Sequence, residues 1–320
     1  MQTFDARTID TTGAFMIGEL ERLDLTMHEP LVSVSWSRDI DLRTDVSMSD
    51  DSTSFTNSSF AAAGGVALPS SGNGGGKAWA GKDSTAIPGM QVDISKTVNL
   101  LTPWSMELSY TIMELESAIK VGRPIDEQKF RGIQLKHQMD IDEQVYVGDT
   151  QLNVKGLANN ASVSASNVPN GSWSITTAPA NMLMDVDSVL TAAWAATGYA
   201  FAPTHLLLPP NQFNVLVGAI VSTAGNQSVL KYLKENCISA ALNGRPLEIN
   251  PVKWLVGAGA SSTNRMVAYT KEKNYVRFPM VPLQRTALQF HGLYQAVTYY
   301  GKLGVVEVVY PETLAYGDGI

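Results

Sequence analysis

Between residues 31 and 46 apolar and polar positions alternate: Val32, Val34 and Trp36, then Ile40 and Leu42, and Val46 after Arg43–Thr44. The same period returns at Val92, Ile94, Val98 and Leu100. A two-residue period marks strands with one face buried. Between these runs Asp50–Ser59 is almost wholly Ser, Thr, Asn and Asp, and Ala61–Gly89 is rich in Gly, Ala and Ser, densest at Ser70–Gly76. Two strands closing a polar tip predict a long hairpin arm over residues 45–103. A structureless loop of that length inside a compact domain is usually functional or disordered. A lone two-stranded ribbon is marginal in water. The arm therefore calls for another molecule to lie on.

The period then lengthens. Thr111-Ile112-Met113-Glu114 fits a capping box and opens a helix over 112–121. Pro124 and Asp126 start the longest helix, with Phe130, Ile133, His137, Ile141 and Val145 on one stripe and Gly148 as its stop. Leu135, Met139 and Tyr146 widen the stripe, and Asp140, Asp142 and Glu143 fall on the solvated side. A second Ser/Asn-rich loop, Ser162–Ser174, precedes a helix from Pro179 to Ala196. His205–Leu208 reads as a short buried strand, Asn211–Gly218 as a helical turn or two, and Ser228–Asn236 as a helix. Pro246–Ile249, Trp254–Val256 and Met266–Tyr269 read as strands, which makes residues 150–275 a mixed module. The β-branched and aromatic runs Ala287–Phe290, Tyr294–Tyr300 and Val305–Tyr310 suit a closing sheet. Thr12–Leu25 fits a short amphipathic helix.

Composition narrows the function. Hydrophobic residues make up 44% of the 320, enough for a core, yet charged residues are only 17%. Surface that lacks charge is small-polar or covered by partners. The formal net charge is -7 and no Lys/Arg cluster exists, which argues against a sequence-independent grip on nucleic acid. The single Cys237 cannot form an internal disulfide and reads as a core residue. His28, His137, His205 and His291 lack metal-ligand spacing, and no G-x-S-x-G elbow occurs. Gly72–Lys77 resembles a phosphate loop only faintly, because Ala78 stands where Ser or Thr is needed. No apolar run reaches membrane-spanning length and no secretory signal is visible, so synthesis in the cytosol is expected. Trp79, inside the glycine-rich tip, is a candidate interface anchor.

The order of elements resembles the major capsid proteins of tailed bacteriophages, with the α+β fold named for phage Hong Kong 97. Three motifs carry the resemblance: Met113-Glu114-Leu115 leading to Gly122; Tyr146-Val147-Gly148-Asp149 followed by Gly156-Leu157-Ala158-Asn159; and Tyr310-Pro311 with Tyr316-Gly317-Asp318-Gly319-Ile320. The resemblance implies an N-arm (1–30), a first strand of the peripheral domain (31–44), an extended E-loop (45–103), the peripheral domain with its spine helix (104–149), an axial domain (150–275) and closing strands of the peripheral and axial domains (276–320). It implies self-assembly into hexamers and pentamers of an icosahedral or prolate head shell in the virion. That shell is built in the host cytoplasm and encloses double-stranded DNA without sequence-specific binding. Portal, scaffolding or decoration proteins are implied partners. No catalytic residue, cofactor, metal or membrane is implied. Trp36, Phe55, Phe60, Trp79, Ile87, Trp104, Phe130 and His137 are the expected inter-subunit contacts. Some relatives join subunits through Lys–Asn bonds; Lys77 and Lys82 lie in the arm, but no matching Asn and Glu can be placed. An encapsulin-like compartment, a β-rich surface adhesin and an enzyme with a glycine-rich lid are the alternatives.

Overall fold

In the computed structural model, residues 30–62, 65–66, 82, 90–121, 125–221 and 227–320 are described. The expected helix at Thr12–Leu25, the Gly72–Lys77 run and the start signal Pro124 lie outside them. The strand expected through Trp36 is replaced by a single helical turn, α1 (Trp36–Asp39). The cause is distant in sequence. The Asp142 carboxylate accepts the backbone N–H groups of Ser35 at 2.8 Å and Trp36 at 3.0 Å, which curls the chain as a capping group does. The turn brings the Trp36 side chain into the core.

From there the chain runs through β1 (Asp41–Arg43), β2 (Ser52–Ala62), the two-residue β3 (Gly65–Val66), β4 (Met90–Leu100) and β5 (Thr102–Thr111). Two helices follow, α2 (Ile112–Val121) and the spine α3 (Ile125–Tyr146). The Thr111 hydroxyl accepts the Glu114 N–H at 3.1 Å, half of the expected capping box, while the Glu114 carboxylate turns to Lys129 at 2.8 Å. Next come β6 (Ala165–Asn167), α4 (Pro179–Ala196), β7 (His205–Leu208), α5 (Pro210–Gly218), α6 (Val229–Asn236), α7 (Ile238–Asn243), β8 (Glu248–Pro251) and β9 (Arg265–Tyr269). The described elements end with β10 (Val276–Arg285), β11 (Gln289–His291), β12 (Tyr294–Leu303), β13 (Glu307–Val308) and β14 (Leu314–Asp318).

These strands make three sheets. The arm sheet is β3-β2-β4, antiparallel, with β2 and β4 paired from Ser52↔Leu100 to Ala62↔Met90. The body sheet runs β1-β10-β12-β11, with β5 paired to β12 along its whole length and β13 to β10. The lobe sheet runs β6-β14-β9-β7-β8. The arm's ladder ends at the buried Leu101, where the chain changes partner, and β5 belongs to the body. Trp254 is not in a strand but in a 3-10 turn (Lys253–Leu255), where its indole N–H donates to Asp142 at 2.7 Å. The last run pairs as a strand only at Glu307–Val308. β14 returns to the lobe rather than joining the body sheet.

Alternation in the lobe sheet sorts side chains to two cores. Leu206, Leu208, Met266, Ala268 and Ala315 pack with Met182, Val186 and Leu190 of α4. Their neighbours Leu207, Val267, Tyr269, Leu314 and Tyr316 pack with Ile141, Val145 and Tyr146 of the spine and with Phe278. A smaller core joins the spine's Ile133 to Leu108 and Tyr299 in the body sheet.

The spine's end explains the second motif. Gly148, at φ +79, makes the left-handed stop. The chain then doubles back so that the N–H groups of Gly156, Leu157 and Ala158 reach the carbonyls of Val147, Val145 and Tyr146 at 3.2, 2.8 and 2.9 Å. The Asn159 amide adds a bond to the Val147 carbonyl at 2.8 Å while its oxygen accepts the Gly156 N–H at 2.8 Å. Carbonyls that a helix end leaves open are thereby satisfied. A Cβ on Gly156 would stand 2.4 Å from the Tyr146 carbonyl carbon.

Candidate functional site

Strand pairing places Val92, Ile94, Lys96, Val98 and Leu100 on one face of the arm, across from Phe60, Ser58, Thr56, Ser54 and Ser52. The four apolar members of that β4 row are 49%, 68%, 56% and 70% exposed. The opposite face carries Thr53, Phe55 and Asn57 beside Asp93, Ser95, Thr97 and Asn99. At the arm's root this more polar face meets the chain's own body. Thr53 is buried and the Asn57 amide donates to the Val309 carbonyl at 3.0 Å. Phe55 and Asn57 line a groove of about 450 Å³ against Val305–Val309. A ribbon resting by its polar face and presenting its apolar row to water inverts the ordinary rule for a half-buried sheet. A contiguous exposed apolar row marks an interaction surface.

The root is held electrostatically. Lys302 donates to the Asp50 carbonyl at 2.7 Å and the Asp51 carboxylate at 3.1 Å. Glu307, fully buried, lies between the guanidinium groups of Arg43 at 3.1 Å and Arg277 at 2.6 Å. Arg43 also grips Asp45 at 2.8 Å, and that hydrogen bond holds the Asp45 carboxyl below its usual range. The proximal arm thus takes its order from its own subunit. Along β4, every described side chain from Val92 to Val98 is exposed.

Four of the eight contact candidates have partners inside the subunit. Trp36 is 6% exposed and its indole N–H donates to the Gln138 side chain at 2.9 Å, so it serves the core. Trp104 donates to Asp140 at 2.9 Å and meets the His137 ring edge-on at 4.7 Å. Phe130 packs on Tyr299 at 5.2 Å. His137 is buried, its Nε2 has no hydrogen-bond partner, and burial pushes its pKa down despite the opposing charge of Asp140. Phe55 is half-buried on the arm's inner face. The Phe60 side chain, Trp79 and Ile87 lie outside the described residues.

Sequence reasoning put Asp142 on a solvated face; it is fully buried. Besides Ser35, Trp36 and Trp254 it has Lys253 at 3.5 Å. Asp39 is a second such node. Its carboxylate accepts from Arg38 at 2.7 Å, Asn250 at 3.3 Å and the Tyr146 hydroxyl, while its carbonyl takes the Tyr269 hydroxyl at 2.6 Å. Together they fasten the segment before β1 to the spine and to the lobe. The third motif has a similar role. Arg265 holds Asp318 at 2.6 and 2.8 Å, reaches the Ala158 carbonyl at 2.8 Å and lies over the Tyr316 ring. Burial raises the Asp318 pKa, but the Arg265 and Ala260 hydrogen bonds prevail and hold it low. Gly317 is needed because a Cβ there would meet Val189 at 2.5 Å.

One arrangement has the order of a nucleophile relay. The Thr204 hydroxyl lies 2.8 Å from His205 Nδ1, and His205 Nε2 lies 3.0 Å from Glu248. The hydroxyl is buried and accepts the Lys271 N–H at 3.0 Å, so it is a structural joint without an approach for substrate. Cys237 is buried and its sulfur caps α7, accepting the Ala240 N–H at 3.4 Å. Among the described residues no His/Cys/Asp/Glu group is placed to hold a metal, and no helix is long and apolar enough to cross a membrane.

Comparison with known proteins gives this geometry its context. No curated protein matches the chain in sequence. The backbone is similar to the capsid of Myoviridae phage XM1, with TM-score 0.75 and 16% identity over 100% of this chain and 99% of that one. It is similar to the capsid of the native GTA particle (TM-score 0.62, 12% identity, 94% and 96% covered). A structure from Mycobacterium phage Bobi also matches (0.60, 10%, 99% and 98%). These likenesses show the fold expected from the motifs. The family model described as major capsid protein matches residues 75–320. The chain therefore belongs to the major capsid protein family, and is a structural, non-enzymatic subunit that associates with its own kind in the virion capsid.

Proposed function

We propose that copies of this chain close into a head shell of hexamers and pentamers around double-stranded DNA, each copy laying its β2/β4 arm on a neighbour. The inverted arm carries the reading. Among the described residues its apolar row is about half or more exposed, and a repeated neighbour supplies the missing cover. Covering each of those four half-exposed side chains contributes about 1 kcal/mol. That is modest per copy but is multiplied around a closed shell. In this reading the lobe sheet with α4 to α7 forms the axial domain round the fivefold and sixfold centres, with β14 as part of it. The spine and body sheet form the periphery. A net charge of -7 leaves DNA held by an intact wall rather than by adhesion. Portal, scaffolding or decoration proteins complete the particle.

The test is replacement of residues 55–97 by an Asn-Gly turn, which keeps the Ser54↔Val98 pair as the hairpin base. The shortened subunit is expected to keep its helical circular dichroism and to unfold cooperatively, yet to give no particles by sedimentation or negative-stain microscopy. Shells built normally by that variant would remove the arm from the assembly mechanism.

A further inference from the structure

Three Asn-Gly pairs stand in the chain: Asn73-Gly74, Asn170-Gly171 and Asn243-Gly244. The first lies outside the described residues. A glycine after asparagine leaves the backbone nitrogen uncrowded and free to turn onto the side-chain amide, so such pairs are chemically the most prone to lose ammonia. Asn170 and Asn243 are both exposed, so exposure does not choose between them. Their partners do. The backbone N–H and the Nδ2 of Asn170 both donate to Asp185 Oδ1, at 2.9 and 3.0 Å. Asp185 is fully buried, and its other oxygen accepts the Trp173 indole at 2.8 Å. Gly171 is backed against the Gly319 carbonyl, which a Cβ would meet at 2.8 Å. Negative charge developing on the Asn170 side chain would stand beside a buried carboxylate, which disfavours it. Asn243 and Gly244 instead close the six-residue helix α7, with Gly244 at φ +65 and nothing within 4 Å of its added Cβ. The Gly244 N–H has one bond, to the Ala240 carbonyl at 3.0 Å, in the last turn of a short helix where opening costs least. The nearest charge in sequence is Arg245, of the sign that favours an anion.

We propose that Asn243 is a site of spontaneous deamidation, and that its conversion unties α7 from the segment entering β7. The Gly244 nitrogen gives its proton to hydroxide and bonds to Asn243 Cγ; the Cγ–Nδ2 bond breaks and Nδ2 leaves as ammonia. Water then adds to either carbonyl of the resulting succinimide and opens it to aspartate or isoaspartate, with no change of oxidation state. The side chain that is lost has a structural task. Asn243 Nδ2 donates to the carbonyls of Ala202 at 3.4 Å and Pro203 at 3.1 Å, both in buried residues. A carboxylate in its place offers no donor and repels both oxygens, which leaves buried acceptors short of a partner. Isoaspartate also adds a methylene to the backbone directly at the left-handed stop of α7.

The test holds the full-length chain in mild alkali and follows both pairs by peptide mass mapping. In the folded chain Asn243 is expected to convert about tenfold faster than Asn170, and in urea the two rates are expected to converge. Over the same incubation the thermal midpoint of the wild-type chain should fall by about 2 °C, while that of Asn243→Gln, whose longer side chain closes the ring poorly, should hold its starting value. Conversion at Asn170 as fast as at Asn243, or an intact Asn243 in the folded chain while the urea control reacts, would overturn the assignment of the site. A midpoint that stays put after Asn243 has converted would overturn the untying of α7.

Discussion

Replacing Asp142 by Ala probes the join between the segment before β1 and the spine. The carboxylate is fully buried and accepts Ser35 N–H at 2.8 Å, Trp36 N–H at 3.0 Å and the Trp254 indole at 2.7 Å. Hydrogen bonds to a charged group contribute about 1.5–3 kcal/mol each, so the gross loss is about 4–9 kcal/mol. Burying the charge had its own cost, which the truncation relieves. Removing one side of a buried charged cluster leaves about 3–5 kcal/mol of net destabilisation, here set by three orphaned donors. Whole-domain stabilities are about 5–15 kcal/mol. The midpoint of thermal unfolding should fall by about 6–10 °C. Measurement belongs on the arm-shortened subunit, because assembly would otherwise raise the apparent stability by mass action. Trp36 and Trp254 both lose a partner, so near-ultraviolet dichroism should change before the far-ultraviolet signal does. A loss below about 1 kcal/mol would refute the claim that this carboxylate organises the turn.

His137→Phe should flatten the stability profile below pH 6.5. The buried ring's folded pKa lies under the ordinary 6.5, so the unfolded chain binds more protons in that window. Wild-type stability contributed by the neutral ring is then full above 6.5 and declines as the pH falls toward the folded value; urea titrations at several pH values check the slope. Gly156→Ala should cost about 3 kcal/mol, because its Cβ meets the backbone of Tyr146 at 2.4 Å. Gly132→Ala on the same spine should instead stabilise by about 0.5–1 kcal/mol, since nothing lies within 4 Å of the added methyl. Equal effects of the two alanines in a thermal melt would contradict the account of the helix end.

What the sequence showed and what it hid divide by range. The spine was legible because Ile133, His137, Ile141 and Val145 repeat at helical spacing within one segment. The arm was legible only in its returning strand: β4 alternates, but its partner β2 comes from the Ser/Thr/Asn-rich stretch expected to lie between the strands, while the alternating run before it supplies α1 and β1, which pairs with β10 in the body. The turn at Trp36 was hidden, since the local alternation was overridden by a carboxylate 106 residues away. Asp142 itself was misplaced for the same reason: its acidic neighbours suggested water, while its partners come from two other segments. Trp254 lost its strand to that same acid. β14 was obscured because both of its faces are buried, so it carries no two-residue alternation. Among the contact candidates, large aromatics suggested an interface, but Trp36, Trp104 and Phe130 already have internal partners. The apolar row of β4 had been used only as a strand signal, and only the pairing register showed that it faces outward.

The lobe sheet divides its side chains between two cores with neighbouring residues assigned to opposite sides. Met266 can change with α4 while Val267 continues to answer to the spine. Drift on one side is thereby insulated from the other, and the packing around α4 can be rebuilt without disturbing the frame beneath it. A fold wired in this way tolerates wholesale replacement of its letters, which is how 16% identity and a TM-score of 0.75 can describe the same pair of molecules.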